Sequence, residues 1–236
     1  MILRRAAEHL RQQHWTAFAI ELGIVVLGVF IGMQASNWNQ AKKDSETGRA
    51  IVGNLYADYT AIELEGQSRL AVFHSRHAAI SELLAVLRAP KPVADGVALS
   101  RSLALVFSFP PALGASATQQ EIMFNGQMDL IANKELRVLL VGHAERIRMA
   151  QLGEQSRREF LRPYAVPVMR LNMLLLDGYP AENAIAVAGG RDELRIGLRT
   201  ADVVYQSEQG DLEATLESLH RVREKLGEQR ELGAQP

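Results

Sequence analysis

The chain of 236 residues has no cysteine, which excludes disulfide staples and thiolate metal sites. Aromatic residues make up only 6% of it, and no run alternates apolar and polar residues for long enough to specify a sheet. Alanine and leucine are plentiful instead, which favours helices. No proline falls between Thr47 and Leu87. An excess of one charge is also missing. The 26 basic and 27 acidic side chains leave a formal net charge of −1, so nothing draws the chain to nucleic acid. There is no internal repeat, no low-complexity tract and no nucleophile elbow. Gly189-Gly190 lacks the context of a phosphate loop.

One long hydrophobic run stands out. Residues 16–35 are nearly all apolar, with Trp15 and Trp38 at the two flanks. As a helix the two tryptophans lie roughly 34 Å apart, against a bilayer core about 30 Å thick with Trp favoured at both interfaces. The run exceeds the ~7–15-residue apolar region of a signal peptide, and Met33 sits poorly at the −3 position of a cut after Ala35. The expected organisation is an N-terminal cytoplasmic or interfacial segment over 1–14, a transmembrane helix over 15–40, a helical-bundle domain over 41–232 and a frayed tail over 233–236. Trp15, Gln34, Asn37 and Trp38 would lie at the membrane interfaces. Residues 2–14 can form an interfacial helix with Ile2, Leu3, Ala6 and Leu10 on its apolar side.

Orientation rests on a near tie. Arg4, Arg5 and Arg11 precede the span, while Lys42, Lys43 and Arg49 come after it. The acids Asp44 and Glu46 tip the balance toward a cytoplasmic N-terminus. The expectation is a single-pass protein of the bacterial inner membrane with its C-terminal domain in the periplasm.

On a helical wheel Ala17, Glu21, Gly28, Gly32 and Ala35 fall within about 40° of one line. Gly28 to Gly32 is a GxxxG pattern, which lets two backbones approach closely in lipid. Glu21 shares the stripe and is costly facing hydrocarbon. Glu21, Gly28, Gly32 and Ala35 are therefore the candidate helix–helix interface within the membrane. The partner would be another copy or another membrane protein. The competing reading is chance occurrence of the glycines, with Glu21 reaching for the headgroups.

The run Glu21, Val25-Val26-Leu27-Gly28, Ile31-Gly32-Met33-Gln34 and Asn37-Trp38-Asn39 resembles the N-terminal signature of a bacterial family of small single-pass membrane proteins of unknown function. That signature reads Glu, an Ile/Leu/Val run, Gly, then Ile-Ala-Leu-Gln-x-Asn-Asn-Trp-Asn-Glu. This chain departs from it at Gly32, Met33, Ser36 and Gln40 without a shift of register. Asn125 to Ile131, with Asn133 to Arg137 after it, is similar to the family's mid-domain turn. The resemblance implies a membrane location and a helical architecture, and it supplies no activity or catalytic residue.

Beyond the span, Ile51, Leu55, Tyr59, Ile62, Leu70, Phe73, Ile80, Leu84 and Leu87 recur at helical spacing once Gly66 and His77 fill the gaps. They predict one long helix, continuous with the anchor in one reading and ended by Pro90 and Pro92. A short helix is expected over 97–108, closed by Pro110-Pro111 and Gly114. Thr118 to Glu121 reads as a capping box, and Gly126 as the stop of that helix. Asn133 can cap a helix to about Leu161, with Leu136, Leu139, Leu140, His143 and Ile147 inward. Pro163 and Pro167 should kink or break the chain's helical course beyond Leu161. Residues 177–190 read as a loop. A last helix from about Asp192 to Leu232 places Leu198, Val204, Leu212, Leu216, Leu219 and Leu226 inward. The predicted fold class is all-α: an N-terminal transmembrane helix and then an antiparallel helical bundle.

Few side chains point to chemistry. His74 and His77 lie one turn apart, but two imidazoles do not make a metal site. Glu217 and His220 form a single Glu-x-x-His, whereas a di-iron bundle needs two such motifs and two more carboxylates. Arg157, Arg158, Arg162 and Arg170 cluster near Pro163 and can hold an anion, or can form a solvated face paired with Glu154 and Glu159. No catalytic residue, metal ligand set or cofactor is assigned. The sequence favours a non-enzymatic scaffold or partner-binding module at the membrane. The alternative is a sensor-like ligand-binding bundle that signals through a partner transmembrane helix.

Overall fold

The computed structural model describes residues 15–89, 95–108 and 113–234, and every regular element among them is helical. In chain order these are α1 (Trp15–Arg88), α2 (Gly96–Val106), α3 (Ala117–Phe124), α4 (Lys134–Leu176), α5 (Ala181–Val187) and α6 (Gly190–Ala234). A 3-10 turn, Gln127–Leu130, stands between α3 and α4. The architecture is the all-α one expected, with a long apolar N-terminal helix. The expectations for residues 1–14, for Pro90, Pro92, Pro110 and Pro111, and for the end of the 233–236 tail lie outside the described residues.

Contacts divide the chain into two compact units, Met1–Arg49 and Ala50–Pro236. In the first, α1 carries a window of mean hydropathy 1.5 with none of it buried, long and apolar enough to cross a membrane. Ile20, Leu22, Ile24, Val25, Leu27, Phe30 and Ile31 are all exposed. An apolar face of this size, open on all sides, is unfavourable in water, since burial of apolar surface is worth about 25 cal/mol per Å².

The second unit is the bundle. The remainder of α1, with α4 and α6, supplies two dry cores. One holds Ile51, Leu55, Tyr59, Ile122, Leu136, Leu140, Leu219 and Leu226. The other holds Phe73, Ile80, Leu83, Leu99, Leu103, Leu161, Leu171, Leu194, Leu198 and Tyr205, with Ala184 and Ile185 of α5. Gly66 explains one gap in the α1 stripe. A Cβ there would stand 2.4 Å from the Leu216 side chain, so the absent side chain admits a leucine from α6. Ser100 Oγ donates to Asn172 Oδ1 at 2.5 Å and ties α2 to α4. Around the first core, Tyr59 Oη donates to Gln119 Oε1 at 2.6 Å and Gln119 Nε2 to the Leu140 carbonyl at 2.7 Å. This chain of bonds lets a buried polar side chain hold α1, α3 and α4 together without an orphaned group.

Four local expectations are corrected. Pro163 and Pro167 do not break the helix, because α4 runs through both to Leu176. Each proline removes one N–H, to the carbonyls of Glu159 and Pro163, and both of those residues are exposed. Leu161, Ala165, Val168, Leu171 and Leu175 on the other face keep the helix packed. The 177–190 loop contains a helix, α5, bracketed by Gly178 at φ 83° and by Gly189 and Gly190 at φ 124° and 85°. These angles favour glycine. The N-cap of α3 is Ser116, whose side chain accepts from Gln119 N at 3.0 Å, and not Thr118. Leu84 is half-buried, while its neighbour Leu83 is 2% exposed and is the core residue. Asn133 does cap α4, accepting from Leu136 N at 3.0 Å. Gly126 takes the left-handed φ of 66° just past α3.

Candidate functional site

Between its two dry cores the bundle changes character. α1 passes this level at Arg69, Val72, Phe73 and Arg76, α4 at Ile147, Ala150, Glu154 and Arg157, and α6 at Glu208, Asp211, Leu212 and Thr215. Together with Ser108 and Leu113 they line a cavity of about 490 Å³ that is open to solvent on one side. That lies within the ~300–1,000 Å³ typical of small-molecule pockets. Its walls mix apolar side chains with three arginines and three acids.

The acids and bases are not evenly matched. Arg157 Nη1 meets Asp211 Oδ2 at 2.7 Å, and Glu154 is held by Arg158. Arg69 pairs with Glu65 one turn away. Arg76 is different. It is 1% exposed, and no carboxylate among the described residues comes within ion-pair distance of it. Its Nη2 donates to the Ser108 carbonyl and lies 3.2 Å from Ser108 Oγ. Its guanidinium stacks between Phe73 and Tyr205, at 5.3 and 4.8 Å from the ring centroids. Cation–π contacts of this kind stabilise a desolvated cation. The Nε atoms of Arg76 and Arg157 are buried without a hydrogen-bond partner among the described residues. Such orphans cost about 1–3 kcal/mol each.

Burial pushes the Arg76 pKa down, with Tyr205 and Glu208 acting against the shift. Burial also raises the Glu208 carboxyl above its ordinary range, with Arg157 and Arg76 drawing it back. The Tyr205 hydroxyl, which donates to the Val106 carbonyl, is pushed up to about 12 by burial. Gly153 makes room for this arrangement, since a Cβ there would stand 3.1 Å from Arg157 Nη1.

Of the arginines singled out in the sequence, Arg157 lines the cavity. Arg158 lines a small adjoining void with Glu154, Leu161 and Val204. Arg162 and Arg170 are exposed and line neither. The sequence reading missed Arg76, Glu208 and Asp211. Arg76 did leave a signal: it stands three residues after Phe73 and four before Ile80, a charge set into an apolar stripe.

Comparison of the chain with family models, curated proteins and solved structures finds no match.

The other polar constellations are local. His77 Nδ1 lies 2.6 Å from Asp202 Oδ1, and His74 is exposed. His220 Nδ1 and Arg223 Nε share Glu63, at 3.0 and 2.8 Å. No group of three or more metal-ligating side chains forms among the described residues. His143 Nδ1 lies 3.2 Å from Ser218 Oγ, a pairing that among the described residues comes nearest to a nucleophile and its base. Neither residue lines the cavity, and burial lowers the His143 pKa to about 4, which makes it a poor base. In the first unit Glu21, Gly28, Gly32, Gln34, Ala35, Asn37 and Trp38 are exposed, and Trp15 opens α1. A Cβ on Gly28 or Gly32 would meet open space.

Proposed function

We propose that this chain is a single-pass protein of the bacterial inner membrane whose helical domain works in the periplasm as a non-catalytic binding module. The observation that carries the reading is the apolar first unit, whose large side chains find no cover within the protein. A bilayer would supply that cover. The resemblance of residues 21–39 to a single-pass family supports the same placement. Joining a topology reporter to residue 236 tests it: a periplasm-active enzyme should be active there, and activity of a cytoplasm-only reporter would reverse the orientation.

The cavity favours a second, compatible reading, that the bundle binds a small ligand. A ligand signal would pass to a partner transmembrane helix, for which Glu21, Gly28, Gly32 and Ala35 form the candidate contact face. No nucleic acid, metal or cofactor enters either reading.

A further inference from the structure

We infer that the cavity between the two cores takes an amphipathic monocarboxylate, an apolar chain or ring bearing one carboxylate that the Arg76 guanidinium receives, with Arg157, whose Nη1 stays with Asp211, offering its Nε–H. This rests on the ligand-binding reading above and adds the class of ligand.

The apolar part comes from the walls. Val72, Phe73, Leu113, Ile147, Ala150 and Leu212 supply hydrocarbon from α1, α4, α6 and the segment before α3. The charged part comes from the pairing. Asp211 and Glu154 are committed to Arg157 and Arg158, so they do not call for a cationic ligand. Among the described residues, two charges of the lining remain without an ion pair, Arg76 and Glu208. Arg76 is 1% exposed and Glu208 is half-buried, so solvent reaches the acid in part and the base hardly at all. A carboxyl group can also become neutral by taking a proton, whereas a guanidinium keeps its charge. The persistent unmatched charge in this cavity is therefore positive. Both arginines carry an unsatisfied buried N–H, and a planar carboxylate matches the donor fork of a guanidinium. A polyanion such as a nucleotide fits poorly, because Glu208, Asp211 and Glu154 line the same space.

The test is thermal unfolding of the full chain in lipid nanodiscs, monitored by circular dichroism. Four probes share one size range: octanoate, 2-naphthoate, octanol and octylammonium. Octanoate or 2-naphthoate in hundredfold excess over its Kd should raise Tm by at least about 5 °C. A larger shift with the chain points to a lipid-derived acid, and a larger shift with the ring to a soluble aromatic acid. Octanol and octylammonium should shift Tm less. Arg76→Gln should remove the advantage of the carboxylates over octanol. If that variant loses its helical spectrum, Arg157→Gln serves the same purpose. Ala150→Phe fills the cavity from an apolar wall and should abolish every shift, which separates cavity binding from partition into lipid. Equal shifts for all four probes that Ala150→Phe removes would overturn the carboxylate assignment and leave the ligand-binding reading intact. No shift with any probe, or shifts that Ala150→Phe leaves unchanged, would overturn both.

Discussion

His143 shows how a single residue links the core to solution conditions. It is 3% exposed and tilts against the Tyr59 ring at 5.3 Å between centroids. Burial, helped by the Arg146 charge, lowers its pKa to about 4, against about 6.5 in an unfolded chain. Below pH 6.5 the unfolded chain takes a proton that the folded chain refuses. The histidine's contribution to stability therefore falls as pH drops from about 6.5 to 4, by at most about 3 kcal/mol, and levels off below that. Glu208 acts with the opposite sign, because its raised carboxyl gains a proton and sheds a buried charge as pH falls. For Asp58, burial raises the carboxyl, but the hydrogen bonds from Ser116 and Thr118 together hold it below its ordinary value. It loses stability only in the more acid range, below its unfolded pKa near 3.8. Urea unfolding of the parent and of His143→Gln across pH 4–7 isolates the histidine. Against the parent, the variant's stability should fall less toward acid pH, and equal slopes would show that the imidazole is not held neutral. This residue was legible as an inward position, because it stands on the stripe with Leu140 and Ile147. Its neutrality was not, since that depends first on how deeply the packed helices bury it. The unpaired state of Arg76 was hidden for the same reason.

At the scale of elements, close approach of helices sets the meaning of each glycine. Gly197 of α6 faces α4, where a Cβ would stand 3.1 Å from the Tyr164 carbonyl oxygen. Gly142 of α4 faces open space, and a Cβ there would meet nothing within 4 Å. Alanine is favoured over glycine inside a helix by about 1 kcal/mol. Gly142→Ala should realise that gain and raise Tm by a few degrees. Gly197→Ala should lose it, because the obstacle is backbone of a packed helix and cannot step aside. Its net cost should reach about 1–3 kcal/mol, the usual range for overpacking. Chemical denaturation of the two variants checks the opposite signs, and stabilisation by both would show that the α4 backbone at Tyr164 gives way by the few tenths of an ångström required. The helices themselves were largely readable from spacing, since apolar residues three and four apart mark α1, α4 and α6. The breaks were harder to read. Pro163 and Pro167 carry a local signal against helix, yet the burial of Leu161, Ala165, Val168, Leu171 and Leu175, with Pro167 itself packed among them, overrides it. The α5 turn was concealed because its flanking glycines signal a loop whether or not a short helix lies between them.

At the scale of the whole molecule, the first unit decides how copies or partners meet. Gly28 and Gly32 stand one turn apart with Glu21 and Ala35 on the same line, all exposed. If that line is a helix–helix seam, the double substitution Gly28→Ile with Gly32→Ile should hold the backbones apart and weaken association. Contacts between membrane helices contribute on the order of 1–2 kcal/mol each. The expected change is thus a shift of the monomer–oligomer balance, roughly tenfold in the association constant. Insertion should be unharmed, because isoleucine is more favourable than glycine in the hydrocarbon region. Val26→Ile with Phe30→Leu, placed off the stripe, changes apolar bulk without touching the small residues and should leave association near the parent's. Glu21→Gln keeps the shape and a hydrogen-bonding side chain while removing the charge. It should leave self-association near the parent's, since glutamine can still hydrogen-bond across the seam, and a weakened association would show that the charge itself takes part. A transmembrane association assay of residues 15–40 reads all four sequences. Undiminished association of the Gly28/Gly32 double variant would make the stripe an accident of composition, and Glu21 would then need a contact elsewhere than on that face.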